Sequence, residues 1–232
     1  MASPLPPSPS PSPSPSPSTV SVLDLAPVVP VAVVADVADA VPMARALVAG
    51  GLPAVEVTLR TPAGLDAIRA ITARVPEAVV GAGTVVTPEQ VTDCLAAGAR
   101  FLVSPGWTDT LLTAMRTSGV PFLPGVSTAS EVMALLERGV RDMKFFPAQA
   151  AGGTAYVRSL AGPLPGARFC PTGGIGPANA ADYLALPNVA CVGGTWMLPD
   201  EAIAAKNWAR IERLAREAAQ LRRPLSAEGT CR

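Results

Sequence analysis

The stretch AVEVTLRTPAGLDAIRAITARVPEAVVGAGTVVTPEQVTDCLAAGARFLVSPG, residues 54–106, decides the fold. AVEVTLR (54–60), AVVGAGTV (78–85) and RFLVSPG (100–106) are short β-type runs. TPAGLDAIRAITARV (61–75) and TPEQVTDCLAAGA (87–99) lie between them and place apolar residues at helical spacing. Working outward, the same unit recurs. VVPVAVV (28–34) precedes it, and VPFLPGV (120–126), DMKFFPA (142–148), ARFCPTGG (167–174) and VACVGGTW (189–196) follow, with starts 20 to 26 residues apart. Cap signals punctuate the units: Thr87 with Gln90, and Ser127 with Ser130 and Glu131, open helices, while Gly50, Gly98, Gly119 and Gly139 close others.

Eight strand-then-helix units in about 200 residues predict an α/β fold, a compact (β/α)8 TIM barrel. A leucine-rich solenoid shares the period, but its asparagine ladder is missing: the chain has only Asn179, Asn188 and Asn207. An open doubly wound sheet would carry a glycine fingerprint after its first strand, where this chain reads VVADVADAV.

Residues 1–19, MASPLPPSPSPSPSPSPST, hold 8 of the 26 prolines and no apolar face. They read as a disordered, solvated Pro/Ser-rich tail, a spacer or phosphorylatable segment rather than a signal peptide, with residues 20–232 as one barrel domain.

The 232 residues are 49% hydrophobic and 16% charged, with 18 basic and 18 acidic side chains. Zero net charge argues against nucleic acid or an anionic membrane as the main partner. No histidine is present, which removes Ser-His-Asp and Cys-His catalysis and His-ligated metals. Cys94, Cys170, Cys191 and Cys231 form no C-x-x-C pair and read as reduced small hydrophobes of a cytoplasmic protein. No carboxylate cluster resembles a metal site and no Walker sequence occurs, so neither a metal nor a cofactor is expected.

In such a barrel the site gathers at the carboxyl ends of the strands. Alternation in AVEVTLR sends Val55, Val57 and Leu59 toward the helices and Glu56, Thr58 and Arg60 into the interior, where Glu56 and Arg60 are either a structural ion pair or a site. DMKFFPA holds Lys144, one of two lysines among eighteen basic residues; Lys206 reads as a surface residue. Lys144 shares a face with Phe146, and burial beside Arg60 would favour the neutral amine that can attack a carbonyl. The bland alternative is a snorkelling strand-end cation. Thr172, Gly173 and Gly174 after the seventh run, and Gly193, Gly194 and Thr195 after the eighth, stand where barrels hold phosphate, although tight turns use glycine too. GAGTVV lacks the third glycine of a dinucleotide fingerprint. A lysine nucleophile, a carboxylate, an arginine and an anion cradle suit Schiff-base chemistry on a phosphorylated keto acid.

With those residues in view the chain resembles the 2-keto-3-deoxy-6-phosphogluconate (KDPG) and 4-hydroxy-2-oxoglutarate (KHG) aldolase family. PVVPV, VPMARALVAGGL, EVTLRTP, AIRAI, GAGTV, SPG, PGVSTASE, KFFPA, FCPTGGI, PAN and GGTWM carry the resemblance, in order, from Pro27 to Leu198. It implies a class I lyase, usually a homotrimer, that cleaves 2-dehydro-3-deoxy-6-phosphogluconate to pyruvate and glyceraldehyde 3-phosphate in the Entner–Doudoroff pathway. The KHG reaction, giving pyruvate and glyoxylate, is a possible second activity of the family. The resemblance assigns the Schiff base to Lys144 and proton transfer through a bound water to Glu56. Arg60 and Thr84 would hold the carboxylate of the pyruvyl half, Pro105 and Phe146 would line the pocket, and Thr172 would meet the substrate hydroxyls. Gly173, Gly174, Gly194 and Thr195 would bind phosphate, Thr195 standing where the family often has serine. The galactonate epimer of the substrate, a sugar-phosphate isomerase using Glu56 as base, and a non-catalytic phosphate-binding barrel are the competing readings.

Overall fold

The computed structural model describes residues 21–221. The Pro/Ser tail, its boundary with the folded part and Cys231 lie outside the described residues. After one 3-10 turn (Val22–Asp24), strands and helices alternate: β1 (Val28–Ala32), α1 (Val37–Ala49), β2 (Ala54–Thr58), α2 (Gly64–Arg74), β3 (Val79–Gly83), α3 (Pro88–Ala96), β4 (Leu102–Val103) and α4 (Asp109–Thr117). β5 (Phe122–Leu123) and β6 (Gly125–Val126) follow with no helix between them. The chain then runs through α5 (Ala129–Glu137), β7 (Asp142–Phe145), α6 (Gly153–Ser159), β8 (Arg168–Pro171), α7 (Ala180–Leu184) and β9 (Val192–Gly194) to α8 (Asp200–Ala204) and α9 (Trp208–Ala219).

Every strand pairing is parallel, which requires a crossover between neighbours and explains why helices interrupt the strands. The strands form a six-stranded sheet, β5-β4-β3-β2-β1-β9, and a three-stranded one, β6-β7-β8. The run expected as one fifth strand is thus two. Pro124 separates them because it has no N–H to give the ladder, while its carbonyl still accepts from Lys144 N at 3.0 Å. At the other seam, isolated parallel bridges join Phe169 to Val189 and Thr172 to Gly193. The result is an α/β fold with a curled parallel sheet.

The two faces of the strands bury different material. Val55, Val57 and Val80 pack outward with helical Leu47, Ile68 and Ile71 in the large core. The opposite face gathers Val29, Ala54, Phe101, Val103, Leu123, Cys170 and Cys191 around Val22 and Leu23 from the 3-10 turn. That turn is tied down: Ser21 accepts from Leu23 N at 3.2 Å and donates to Asp142, and Arg168 spans Asp24 at 2.5 Å and Asp142 at 3.3 Å. The amino ends of β7 and β8 are therefore plugged, leaving the carboxyl ends for a ligand.

The expected cap at Thr87 forms as a capping box with Gln90. The second lies one residue later than the sequence suggests, between Thr128 and Glu131, because α5 starts at Ala129 and Thr128 is the extended residue before it. Gly98, Gly119 and Gly139 close α3, α4 and α5 with positive φ, but after α1 it is Gly51, at φ +92°, that takes this conformation. Gly50 is right-handed and serves close packing: a Cβ there would lie 2.5 Å from Cβ of Ala215 on α9.

Phe101 fills the interior because Gly81 gives it room; a Cβ at 81 would lie 2.4 Å from the ring. Gly81→Ala is expected to cost about 1–3 kcal/mol, read as a lower urea midpoint at unchanged slope. Burial, then the charge of Asp93, pushes the Cys94 thiol up to about 12. A hydrogen bond with Cys170, burial and nearby charge push Cys191 well up as well. Raised thiols are protonated at pH 8, so iodoacetamide should leave both unlabelled in folded protein and label both in urea, as peptide mass mapping would show.

Candidate active site

Glu56 is the middle residue of β2 and Lys144 the third of β7, so they come from different sheets and lie 88 positions apart. Both side chains enter the interior, where Lys144 Nζ donates to Glu56 Oε1 at 3.1 Å. Lys144 is 3% exposed and Glu56 4%, so the lysine is no snorkelling cation. Gly83, the last residue of β3, makes the pairing possible: a Cβ there would lie 2.2 Å from Glu56 Oε1. Phe146 shares the lysine's face, its ring centroid 5.4 Å from Nζ. Met143 and Phe145 point to the helices, as alternation requires.

Arg60 departs from its expected place. It is exposed, beyond the end of β2, so it is neither buried beside Lys144 nor the ion-pair partner of Glu56. Two residues past the strand the alternating path has already turned out of the sheet. Its Nε instead donates to Thr84 Oγ1 at 3.3 Å. Thr84 has φ +62°, a conformation that costs a β-branched residue of order 1–3 kcal/mol and recurs at functional sites. Arg60 and Thr84 thus meet just beyond the carboxyl ends of β2 and β3. Pro105 is half-buried, and its carbonyl sits so close to Gly125 that a Cβ there would lie 2.2 Å away.

Thr172 is buried, and its Oγ1 donates to Cys170 O at 3.3 Å. A Cβ at Gly193 would approach that Oγ1 to 2.3 Å, so Gly193 serves packing. Gly173 and Gly174 both have positive φ, +100° and +73°. Among the described residues the N–H groups of Gly173, Gly174, Ile175 and Thr195 donate to no protein acceptor, which leaves them for an anion. Gly194 is buried beneath Trp196, whose ring a Cβ would overlap at 1.9 Å; only Thr195 of that pair is exposed. Thr195 lines a cleft of about 320 Å³ with Val31, Trp196 and Leu198. A larger depression of about 590 Å³, near Ser21, Phe122 and Arg141, lies at the plugged end, away from Lys144.

Sequence reasoning placed Lys144 and Glu56 inside but missed their direct contact and the role of Gly83. The signal was there: Gly81 and Gly83 alternate on the inner face of a strand, where missing side chains make room for a neighbour's. Among the described residues no three His, Cys, Asp or Glu side chains group as metal ligands. None of their helices is long and apolar enough to cross a membrane.

A desolvated lysine touching a carboxylate, set toward the carboxyl ends of parallel strands, is the arrangement of a Schiff-base lyase. Comparison with known proteins narrows that class. A family model for KDPG and KHG aldolases matches residues 20–214. The KHG/KDPG aldolase of Escherichia coli (strain K12) is 53% identical over 200 residues, 86% of this chain and 94% of the relative. The 2-dehydro-3-deoxy-phosphogluconate aldolase of Pseudomonas aeruginosa PAO1 is 51% identical over 191 residues, 82% and 87% of the two chains. Among solved structures, the KDPG aldolase of Legionella pneumophila, with pyruvate captured as a covalent carbinolamine, superposes with a TM-score of 0.83 at 48% identity, covering 85% of this chain and 96% of the other. The chain belongs to the KDPG and KHG aldolase family, and is a carbon–carbon lyase.

Gly83→Ala tests whether the carboxylate's position matters more than its presence. The added methyl must displace Glu56 from Lys144, and a shift of about 1 Å is expected to cut kcat on the order of a hundredfold in a steady-state assay of folded protein.

Proposed function

We propose that the chain is a class I aldolase that cleaves 2-dehydro-3-deoxy-6-phosphogluconate to pyruvate and glyceraldehyde 3-phosphate. The observation that carries this reading is the buried 3.1 Å contact between Lys144 and Glu56. At that distance the ammonium can pass a proton to the carboxylate, freeing the amine to attack the substrate's C2 ketone. Glu56 returns that proton to the departing hydroxyl, so that the carbinolamine loses water to give a protonated imine and the carboxylate is restored. Glu56 then takes the proton of the C4 hydroxyl, C3–C4 breaks, and the electron pair runs into the imine to leave an enamine. The aldehyde departs, Glu56 gives the proton it took to C3 of the enamine, and addition of water to the imine returns Lys144 and releases pyruvate.

The remaining roles follow from position. Arg60, exposed at the mouth and bonded to Thr84, meets the substrate carboxylate, with which its guanidinium can form paired hydrogen bonds. Phe146 and Pro105 line the apolar side of the pocket, and Thr172 stands toward the substrate hydroxyls. The free N–H groups of Gly173, Gly174 and Thr195 receive the phosphate, with Thr195 Oγ1 as a further donor and Gly194 letting the backbone come close. This cradle favours the phosphorylated acid over 4-hydroxy-2-oxoglutarate, which the same lysine chemistry would also cleave. The KHG/KDPG aldolase of Escherichia coli is named for both. The galactonate epimer would differ at the hydroxyls that Thr172 meets.

The two sheets close on each other as one (β/α)8 barrel. The Phe169–Val189 and Thr172–Gly193 bridges and the Lys144–Glu56 contact between the sheets support the closure. The described residues, 21–221, form this one domain. A cytoplasmic homotrimer is the location and assembly that fit the family and the free cysteines at 94, 170 and 191.

Borohydride reduction in the presence of pyruvate, followed by peptide mass mapping, tests the mechanism. A pyruvyl adduct is expected on the peptide containing Lys144 and absent in Lys144→Arg. Folded protein that traps no adduct would overturn the imine route and favour an isomerase or binding role.

A further inference from the structure

Asn179 precedes α7 at the position where asparagine ordinarily caps a helix, yet its side chain makes no bond into α7. It turns back instead. Oδ1 accepts from Gly176 N at 2.9 Å and Nδ2 donates to Gly174 O at 3.0 Å. The same loop is held from its other side by the segment after β7: Ala148 N donates to Thr172 O at 2.8 Å and Gln149 N to Gly173 O at 3.0 Å. Three consecutive carbonyls, 172, 173 and 174, are therefore all anchored.

A trans peptide points its C=O and its N–H in opposite directions. Anchoring the carbonyls of 172, 173 and 174 thus fixes the N–H groups of 173, 174 and 175, none of which donates to a protein acceptor. The first two anchors are backbone groups that any sequence would supply. The third is the Asn179 side chain. Behind the loop, buried Tyr183 donates its hydroxyl to Gln149 Oε1 at 3.0 Å, and Gln149 Cβ lies where a Cβ on Gly174 would come within 2.6 Å.

We propose that Asn179 is a positioning residue for phosphate recognition, holding the 174–175 peptide so that the Ile175 N–H joins those of Gly173 and Gly174, with Tyr183 bracing the loop through Gln149. Asn179 touches no substrate atom in this arrangement. The inference rests on the reading of the 173–175 loop as the phosphate end of the site.

Asn179→Ala is the first test, with Tyr183→Phe as a second variant that keeps the buried ring and removes only the brace. For Asn179→Ala, KM for 2-dehydro-3-deoxy-6-phosphogluconate and the inhibition constant of inorganic phosphate are expected to rise together by roughly tenfold, the worth of about one hydrogen bond. Tyr183→Phe should shift both in the same direction by less. In both variants kcat, and borohydride trapping of pyruvate on Lys144, should stay at the parent level, a split that a loosened fold would not produce. If the parent is inhibited by phosphate but both variants keep its KM, the positioning role is wrong. A fall in kcat equal for the phosphorylated acid and 4-hydroxy-2-oxoglutarate would make the role merely structural and also overturn it. A parent enzyme indifferent to phosphate would instead sink the underlying reading of the loop, and the inference with it.

Discussion

The buried ion pair between Lys144 and Glu56 is the constraint around which the interior is built. Each charge, taken alone into a dry interior, would cost several kcal/mol, and their attraction offsets this only if they meet at short range. The strands around them are shaped for that meeting. Gly83 leaves the space that the carboxylate occupies, Gly81 leaves the space for Phe101 beneath, and Gly193 lets Thr172 press against β9. Well-packed hydrophobes of the same volume would commonly be as stable or more so, so stability alone is a poor reason for the pair. Its position, above the apolar plug and toward the carboxyl ends of the strands, supplies a better one.

The two ends of the strands differ in the way this chemistry needs. At the amino ends Val22 and Leu23 fill the interior and an ion network of Asp24, Asp142 and Arg168 holds the turn in place. At the carboxyl ends lie Thr84, a β-branched residue at positive φ, and the adjacent positive-φ glycines Gly173 and Gly174. The strained Thr84 and the free N–H groups of Gly173 and Gly174 thus stand at the same end of the strands as the Lys144–Glu56 pair, on a scaffold plugged at the other end.

Much of this was legible in the sequence because it is local. Alternation in AVEVTLR puts Glu56 inside whatever its partner is, and a lysine in an arginine-rich chain stands out without any structure. What was not legible is non-local. That Glu56 meets Lys144 rather than Arg60 depends on how a strand near residue 56 faces one near residue 144, and no period in the sequence encodes that distance. Arg60 shows the limit of alternation itself: the rule holds while the residue stays in the sheet, and β2 ends at Thr58. VPFLPGV reads as one run although Pro124, with no N–H for the ladder, divides it into β5 and β6, and the capping box at Thr128 is displaced by one residue because Ser127, Thr128 and Ser130 can all act as caps.

The glycine loop carries the same lesson further. Counting glycines identifies a turn but not what the turn offers, since a free N–H and a satisfied one look alike in sequence. The difference lies in where the preceding carbonyl is tied, and those ties come from Ala148, Gln149 and Asn179, on either side of the loop. The segment that carries the lysine thus also shapes the neighbouring loop: Ala148 and Gln149 follow directly on KFFP. Lys144 and the donors beside it are set by one short continuous stretch of chain. A displacement of β7 would therefore move the nucleophile and two of the loop's carbonyl anchors together, preserving their spacing, whereas the hold of Asn179 on Gly174 comes from a separate element and can be lost independently.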